Sequence, residues 1–210
     1  MCDKREMPMT LQTDTPIENI QIQTSARCIE WFRQLADDTT GTELDIDQPY
    51  QRGHVWSEDR RRLLIRSLMQ GIPVGAITVN DRFAAGFHEP EYGPARSANR
   101  NWSVAIIDGK QRFTTFVQWL RSELSVPASW FPGSEIVTTE DTADGRYVRL
   151  DGLAVRQARF FRSMPVPVVT AKVRTLAEER AIFELVNFGG VAMGESDGAV
   201  DGMIPAGSTE

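Results

Sequence analysis

The sequence predicts an α+β domain, a small mixed sheet flanked by helices. Three observations carry this reading. Short strand-length apolar runs are interspersed with stretches of helical periodicity. The strongest strand candidate, Trp102 to Ile107, breaks at Asp108-Gly109 and passes straight into an amphipathic helix containing Phe113, Phe116, Val117 and Leu120. The composition, 41% hydrophobic and 25% charged, is that of an ordinary globular chain.

In chain order, residues 1–20 are polar, carry two prolines and read as a flexible lead-in. Residues 21–192 form a single domain. Cys28, Ile29, Phe32 and Leu35 recur at helical spacing, which predicts a helix over Ser25 to Asp38, ended by Gly41. Leu44 to Ile46 is a short strand stopped by Pro49. Ser57 is a good N-cap, and Glu58 and Asp59 complement the dipole of a helix running to about Gln70. Its inward residues are Leu64, Ile65 and Leu68, and Gly71 and Pro73 end it. Ala76 to Val79 is a strand, and residues 82–101 form a long polar loop. Further strands fall at 146–150 and 165–173. Thr175-Leu176-Ala177-Glu178 is a capping box opening a helix to about Asn187, which Gly189-Gly190 stops. Residues 193–210 are small, acidic and glycine-rich, a composition expected to stay disordered.

The bulk charge constrains function. The chain of 210 residues carries a net charge of −6 and a pI near 5.1. Proteins that grip DNA alone are usually basic, because phosphate neutralisation supplies much of their affinity. Tight autonomous DNA binding is therefore disfavoured, although a local basic face is compatible with this balance. Cys2 and Cys28 have no metal-site spacing and read as incidental thiols of a reduced, cytoplasmic protein. No apolar run approaches membrane-spanning length, and the N-terminus lacks the apolar core of a signal peptide.

The chemistry concentrates at Asp108-Gly109-Lys110-Gln111-Arg112. A strand, a tight turn and a helix N-terminus together favour an anion, because the first helical amides lack intrahelical partners and the macrodipole is positive there. Gly109 permits the sharp turn and a close phosphate approach. Lys110 and Arg112 add charge, and Arg grips phosphate at two points. Asp108 is placed to orient a base, a water or a metal. A second cluster, Tyr50-Gln51-Arg52 with Trp56, puts polar residues between aromatics on an irregular segment, which suits a ligand pocket. The run Arg60-Arg61-Arg62 with Arg66 reads as a solvated helix face.

Taken in order, Tyr50-Gln51-Arg52 with Trp56, an acidic helix start, Gly71-Ile72-Pro73-Val74-Gly75, Ile107 to Arg112 with Thr114-Thr115, then Phe183 and Asn187-Phe188-Gly189-Gly190 resemble one family. It is the bacterial and phage domain of unknown function 262, the N-terminal module of GmrSD-type restriction systems, also called the DGQQR domain. The resemblance covers about residues 44–192. It implies a ParB/sulfiredoxin-like fold, whose members bind a nucleoside triphosphate through a Gly-x-x-Arg turn, and Gly109-Lys110-Gln111-Arg112 fits that pattern. It further implies a regulatory role in defence or mobile-element processes that involve DNA.

On this reading Arg112 and the amides near Gly109 hold phosphate, and Mg²⁺ arrives on the phosphates. Arg52 supplies a second cation, Asp108 orients a water or the metal, and Tyr50 or Trp56 packs on base or ribose. Gln51, Lys110, Gln111, Thr114 and Asn187 complete the binding set, and Asp108 and Arg112 are the pair for any hydrolysis. The motif departs from the family at Lys110, where Gln is usual. Lys can still touch phosphate, so the resemblance implies nucleotide binding at this turn and leaves a weak NTPase activity open. Relatives with nuclease activity carry a separate histidine-containing domain, and this sequence has no histidine beyond His88. The chain alone is therefore not expected to cut DNA. The other reading is a non-catalytic ParB-like module that binds DNA or a protein partner and keeps the pocket as a relic or switch.

Overall fold

The computed structural model describes residues 19–37, 43–51, 55–88 and 102–188. The expected lead-in, the tail, the Arg52 side chain, His54 and most of the long loop lie outside these residues. The strands are β1 (Ile22–Cys28), β2 (Glu43–Asp45), β3 (Ile77–Asp81), β4 (Trp102–Asp108), β5 (Val126–Pro127), β6 (Glu140–Thr142), β7 (Gly145–Val148) and β8 (Pro165–Ala171). The described α-helices are α1 (Ile29–Ala36), α2 (Glu58–Met69), α3 (Arg82–Ala85), α4 (Lys110–Leu120), α5 (Val155–Ser163) and α6 (Leu176–Phe188).

Five strands form a mixed sheet in the order β1-β8-β3-β4-β2. The β1–β8 and β3–β4 pairs are antiparallel, and β8–β3 and β4–β2 are parallel. A second, antiparallel sheet has the order β5-β7-β6. This is the expected α+β architecture of a mixed sheet flanked by helices. No helix among the described residues is long and apolar enough to cross a membrane.

Strand alternation explains the layering. Ile77 and Val79 of β3, Ile106 of β4, and Val166 and Val168 of β8 share the face that meets α1, α2, α4 and α5 in one large core. There Phe32, Phe116, Trp119 and Phe161 are fully buried. The opposite face carries a smaller apolar cluster of Ile107, Ala171, Val173 and Ile182, which α6 covers. It also carries buried polar groups from Asp45, Asn80 and Glu179.

Local signals placed most boundaries. Ser57 Oγ accepts from Arg60 N at 3.4 Å and opens α2, and Leu64, Ile65 and Leu68 are its buried residues. Gly71 adopts a φ of +69° just beyond that helix. Thr175 and Glu178 form the reciprocal capping box, with Glu178 N donating to Thr175 Oγ1 at 3.2 Å and Thr175 N to Glu178 Oε2 at 2.9 Å.

Three expectations need correction. The helix read over Ser25 to Asp38 begins only at Ile29. Residues 22–28 pair with β8 as an edge strand, because ladder bonds to β8 override a helical pattern that its apolar spacing supports only from Cys28 onward. The polar loop begins with the short helix α3, and its first residue, Arg82, is buried. Finally, α5 was not anticipated. It buries only Phe161, and its polar composition gives few apolar residues to mark it.

Candidate functional site

The site is built where β4 ends and α4 begins. Gly109 is the N-cap of α4 in the left-handed region, with φ +90° and ψ 16°. A Cβ at this position would lie 3.0 Å from Ile77 Cγ1 and 3.2 Å from Ile77 Cα. The glycine is therefore required both by the turn angle and by the close approach of β3. No side chain caps α4, and its first turn holds no acidic residue. This contrasts with α2 and α6, whose N-termini carry their own hydroxyl caps and acids. The start of α4 thus presents a positive dipole end flanked by Lys110 and Arg112.

Both cations are held by carboxylates. Arg112 Nη2 donates to Asp108 Oδ2 at 2.8 Å and to the Ala76 carbonyl at 2.8 Å. Lys110 Nζ donates to Asp47 Oδ1 at 2.6 Å. Both pairs are partly exposed, with Arg112 and Asp108 at 22% and 20% side-chain exposure. Gly75, at φ +76°, lies under the Arg112 guanidinium, where a Cβ would come within 3.8 Å of Cζ. Arg112 Nε is buried without a hydrogen-bond partner among the described residues.

The second cluster reaches the same place. Gln51 Nε2 donates to the carbonyls of Ile106 and Ile107 at 2.7 and 3.0 Å, clamping its loop to the end of β4. Its Oε1 is buried and unpartnered among the described residues. Gln111 Oε1 accepts from the Trp56 amide at 3.1 Å, which ties α4 to the segment before α2. The Trp56 ring lies under the Arg60 guanidinium, 4.7 Å away. Tyr50 packs on Phe183 of α6, with centroids 5.4 Å apart, and its hydroxyl is 3.3 Å from Glu179 Oε2.

Asp108, Gly109, Lys110, Gln111, Arg112, Gln51 and Trp56 are thus joined around one turn, and Tyr50 is anchored beside them through α6. Thr114 lines a groove between α1, β2 and α4 with Leu35, Leu44 and Ile46. Asn187 is exposed, and its amide donates to the Phe183 carbonyl of its own helix at 2.8 Å. Neither residue hydrogen-bonds to the other expected site residues among the described contacts. Arg52 lies outside the described residues.

Sequence reasoning missed Asp47 and a buried ion cluster behind the site. Arg82 donates to Glu179 at 2.6 and 2.7 Å, to Asp45 at 2.8 Å and to Gln48 Oε1 at 3.0 Å. Asn80 Nδ2 donates to Glu179 Oε1 at 2.8 Å. Glu179 is fully buried and Arg82 only 3% exposed. The cluster ties the segment after β2, which carries Tyr50 and Gln51, to β3, α3 and α6. An acid in the first turn of a helix reads as a dipole complement in sequence, so Glu179 gave no separate signal.

The arginines on α2 divide into two that hydrogen-bond to the protein and two, Arg60 and Arg66, that lie exposed over tryptophan rings. Arg61 Nη1 donates to Gln118 at 3.2 Å, Arg62 Nε donates to the Ser125 carbonyl at 3.0 Å, and Arg66 lies over the Trp130 ring. Among the described residues no group of three or more His, Cys, Asp or Glu side chains converges on a metal position.

Comparison with curated proteins and with solved structures returns no match. Residues 32–198 match the family model of the GmrSD restriction endonuclease N-terminal domain, and because the match spans most of the chain, this protein belongs to that family, the domain of unknown function 262.

Proposed function

We propose that this domain is a nucleoside-triphosphate-binding regulatory module with a ParB/sulfiredoxin-like site. Family membership sets the context as restriction, a defence process directed at DNA. The observation that carries the reading is the β4–α4 turn. It is a helix start with no side-chain cap and no acid in its first turn, beside two cations held by Asp108 and Asp47, with Arg112 Nε and Gln51 Oε1 buried but unpartnered among the described residues. Buried polar atoms are nearly always satisfied, so two orphans at one turn suit a bound polar ligand. A phosphate oxygen would satisfy Arg112 Nε, a donor, whereas Gln51 Oε1, an acceptor, would need an N–H or O–H from the base or ribose. The triphosphate oxygens compete with Asp108 and Asp47 for Arg112 and Lys110, and charge-assisted contacts to Arg and Lys compensate the exchange.

In this reading the Mg²⁺ rides on the phosphates, since the described residues offer no carboxylate cluster of their own. Tyr50 and Trp56 border the site, and the base or ribose would lie against one of them. Asp108 is paired with Arg112, and a phosphate that takes the guanidinium frees this carboxylate, so phosphate release is what separates binding from hydrolysis. Nucleotide occupancy then acts as a signal to the nuclease of the restriction system, and residues 1–210 by themselves leave DNA uncut.

A thermal-shift screen against the four nucleoside triphosphates with Mg²⁺ tests the reading. A ligand that binds only the native state raises the melting temperature by mass action. At least one triphosphate should do so, and no shift with any of them would sink the proposal. Phosphate release in the same samples separates a binding switch from an NTPase.

A further inference from the structure

We propose that the exposed face of α5 docks on the phosphate backbone of duplex DNA. The helix reads Val155-Arg156-Gln157-Ala158-Arg159-Phe160-Phe161-Arg162-Ser163, with three arginines and no acid, in a chain whose net charge is −6. Phe161 is buried in the large core and fixes the helix orientation. That orientation leaves Arg156 and Arg159 exposed, and the 51% exposed Phe160 stands beside them.

These two guanidinium groups differ from those of the conspicuous run on α2. Arg61 and Arg62 are spent on Gln118 and on the Ser125 carbonyl, and Arg60 and Arg66 lie on tryptophan rings. Arg156 and Arg159 have neither a hydrogen bond nor an ion pair among the described residues. Arg162 extends the row and is shared with Glu30 of α1 at 3.0 Å, an acid that Arg33 already holds at 2.5 Å. The local charge is therefore unbalanced on the solvent side, in a protein where acids outnumber bases.

Spacing selects the partner. Arg156, Arg159 and Arg162 follow one another at three-residue intervals, and the row rises about 9 Å along the helix. Each DNA strand presents a phosphate about every 3.4 Å of axis, so the row meets two or more of them. Guanidinium forks match phosphate oxygens in geometry as well as charge. The face has one exposed aromatic ring, not the series of stacking rings expected of a single-strand groove. Duplex backbone is the occupant that fits. The contact is sequence-independent and is separate from the nucleotide site, so it stands or falls without it.

The test uses the full chain, free of nucleotide, and a fluorescein-labelled duplex read by anisotropy over a salt series. Wild type should bind at low salt. Arg156→Ala/Arg159→Ala should weaken binding roughly tenfold or more and lower the log–log salt slope by about 2, near 0.9 for each lost phosphate contact. Arg156→Lys/Arg159→Lys should keep most of the slope, and unchanged melting temperatures in both variants confirm intact folds. Failure of wild type to bind duplex would overturn the proposal. So would an alanine variant with unchanged affinity and slope. A third outcome also overturns it: duplex binding untouched by the alanine pair while binding of polyglutamate is lost, which would make the face a dock for an acidic protein.

Discussion

Gly109 and Arg82 show how single residues set the site. Gly109 combines a φ of +90° with backbone of Ile77 at 3.2 Å from where its Cβ would be. Gly109→Ala should cost about 1–3 kcal/mol in urea unfolding, through strain in the left-handed region and displacement of β3. An unchanged midpoint would show that the turn relaxes freely. Arg82 is the cation between Glu179 and Asp45, all three buried. Arg82→Met leaves two buried carboxylates without their counter-ion and should destabilise by about 3–5 kcal/mol. A variant as stable as wild type would mean that water or protonation replaces the guanidinium at little cost. Arg112→Ala should leave the fold intact and weaken triphosphate binding by about 1.5–3 kcal/mol, roughly tenfold or more in affinity. Unchanged affinity by calorimetric titration would remove Arg112 from the site.

Between elements, the contact of α1 with α4 has a pH dependence of definite sign. Asp37, the C-cap of α1, accepts from Arg121 Nε at 3.1 Å and from Arg33 Nη1 at 2.6 Å. The hydrogen bond from Arg121 lowers its pKa below the usual 3.8, and the charges of Arg121 and Arg33 act in the same direction. A carboxylate lowered in the folded state contributes stability that is fully present above the unfolded value and fades as pH falls through the folded one. Wild type should therefore melt above Arg121→Ala at neutral pH, with the gap closing as pH drops below about 4. A gap independent of pH would assign the effect of Arg121 to packing. Such element contacts were only partly legible in the sequence. The inward residues of α2 and α4 were readable from period alone, whereas β1 was not. Its residues are exposed on both faces except Ser25, so no alternation marks a strand.

At the scale of the molecule, one core joins the two sheets. Val126 of β5 and Val148 of β7 belong to the same cluster as Ile77, Ile106 and Val168 of the large sheet, with Trp119 and Phe161 also in it. The Trp119 and Phe161 rings meet at 5.2 Å, and Phe161 touches Phe131 near the small sheet at 6.2 Å. A shared core predicts a single cooperative unfolding transition. Far-UV circular dichroism and tryptophan fluorescence should give coincident denaturation curves. Two separated transitions would show that residues 126–148 unfold as an independent unit.

The features legible along the chain are local ones. The amphipathic face of α4, the caps of α2 and α6 and the glycine at the β4–α4 turn follow from period, side-chain chemistry and backbone freedom, all set within a few residues. The family was legible for the same reason, since its motifs are short segments in a fixed order. Tertiary structure decided which charges are engaged. Nothing local distinguishes Arg82, buried between two acids, from Arg156, open to solvent, because burial depends on what packs from elsewhere in the chain. The same holds for the turn itself. Lys110 and Arg112 were readable as cations, but their carboxylate partners differ in kind. Asp108 lies within the motif, four residues from Arg112 across the turn, whereas Asp47 lies 63 residues from Lys110 and meets it only when β2 pairs with β4. Long-range strand pairing thus set the electrostatics of a site whose residues were already marked in the sequence.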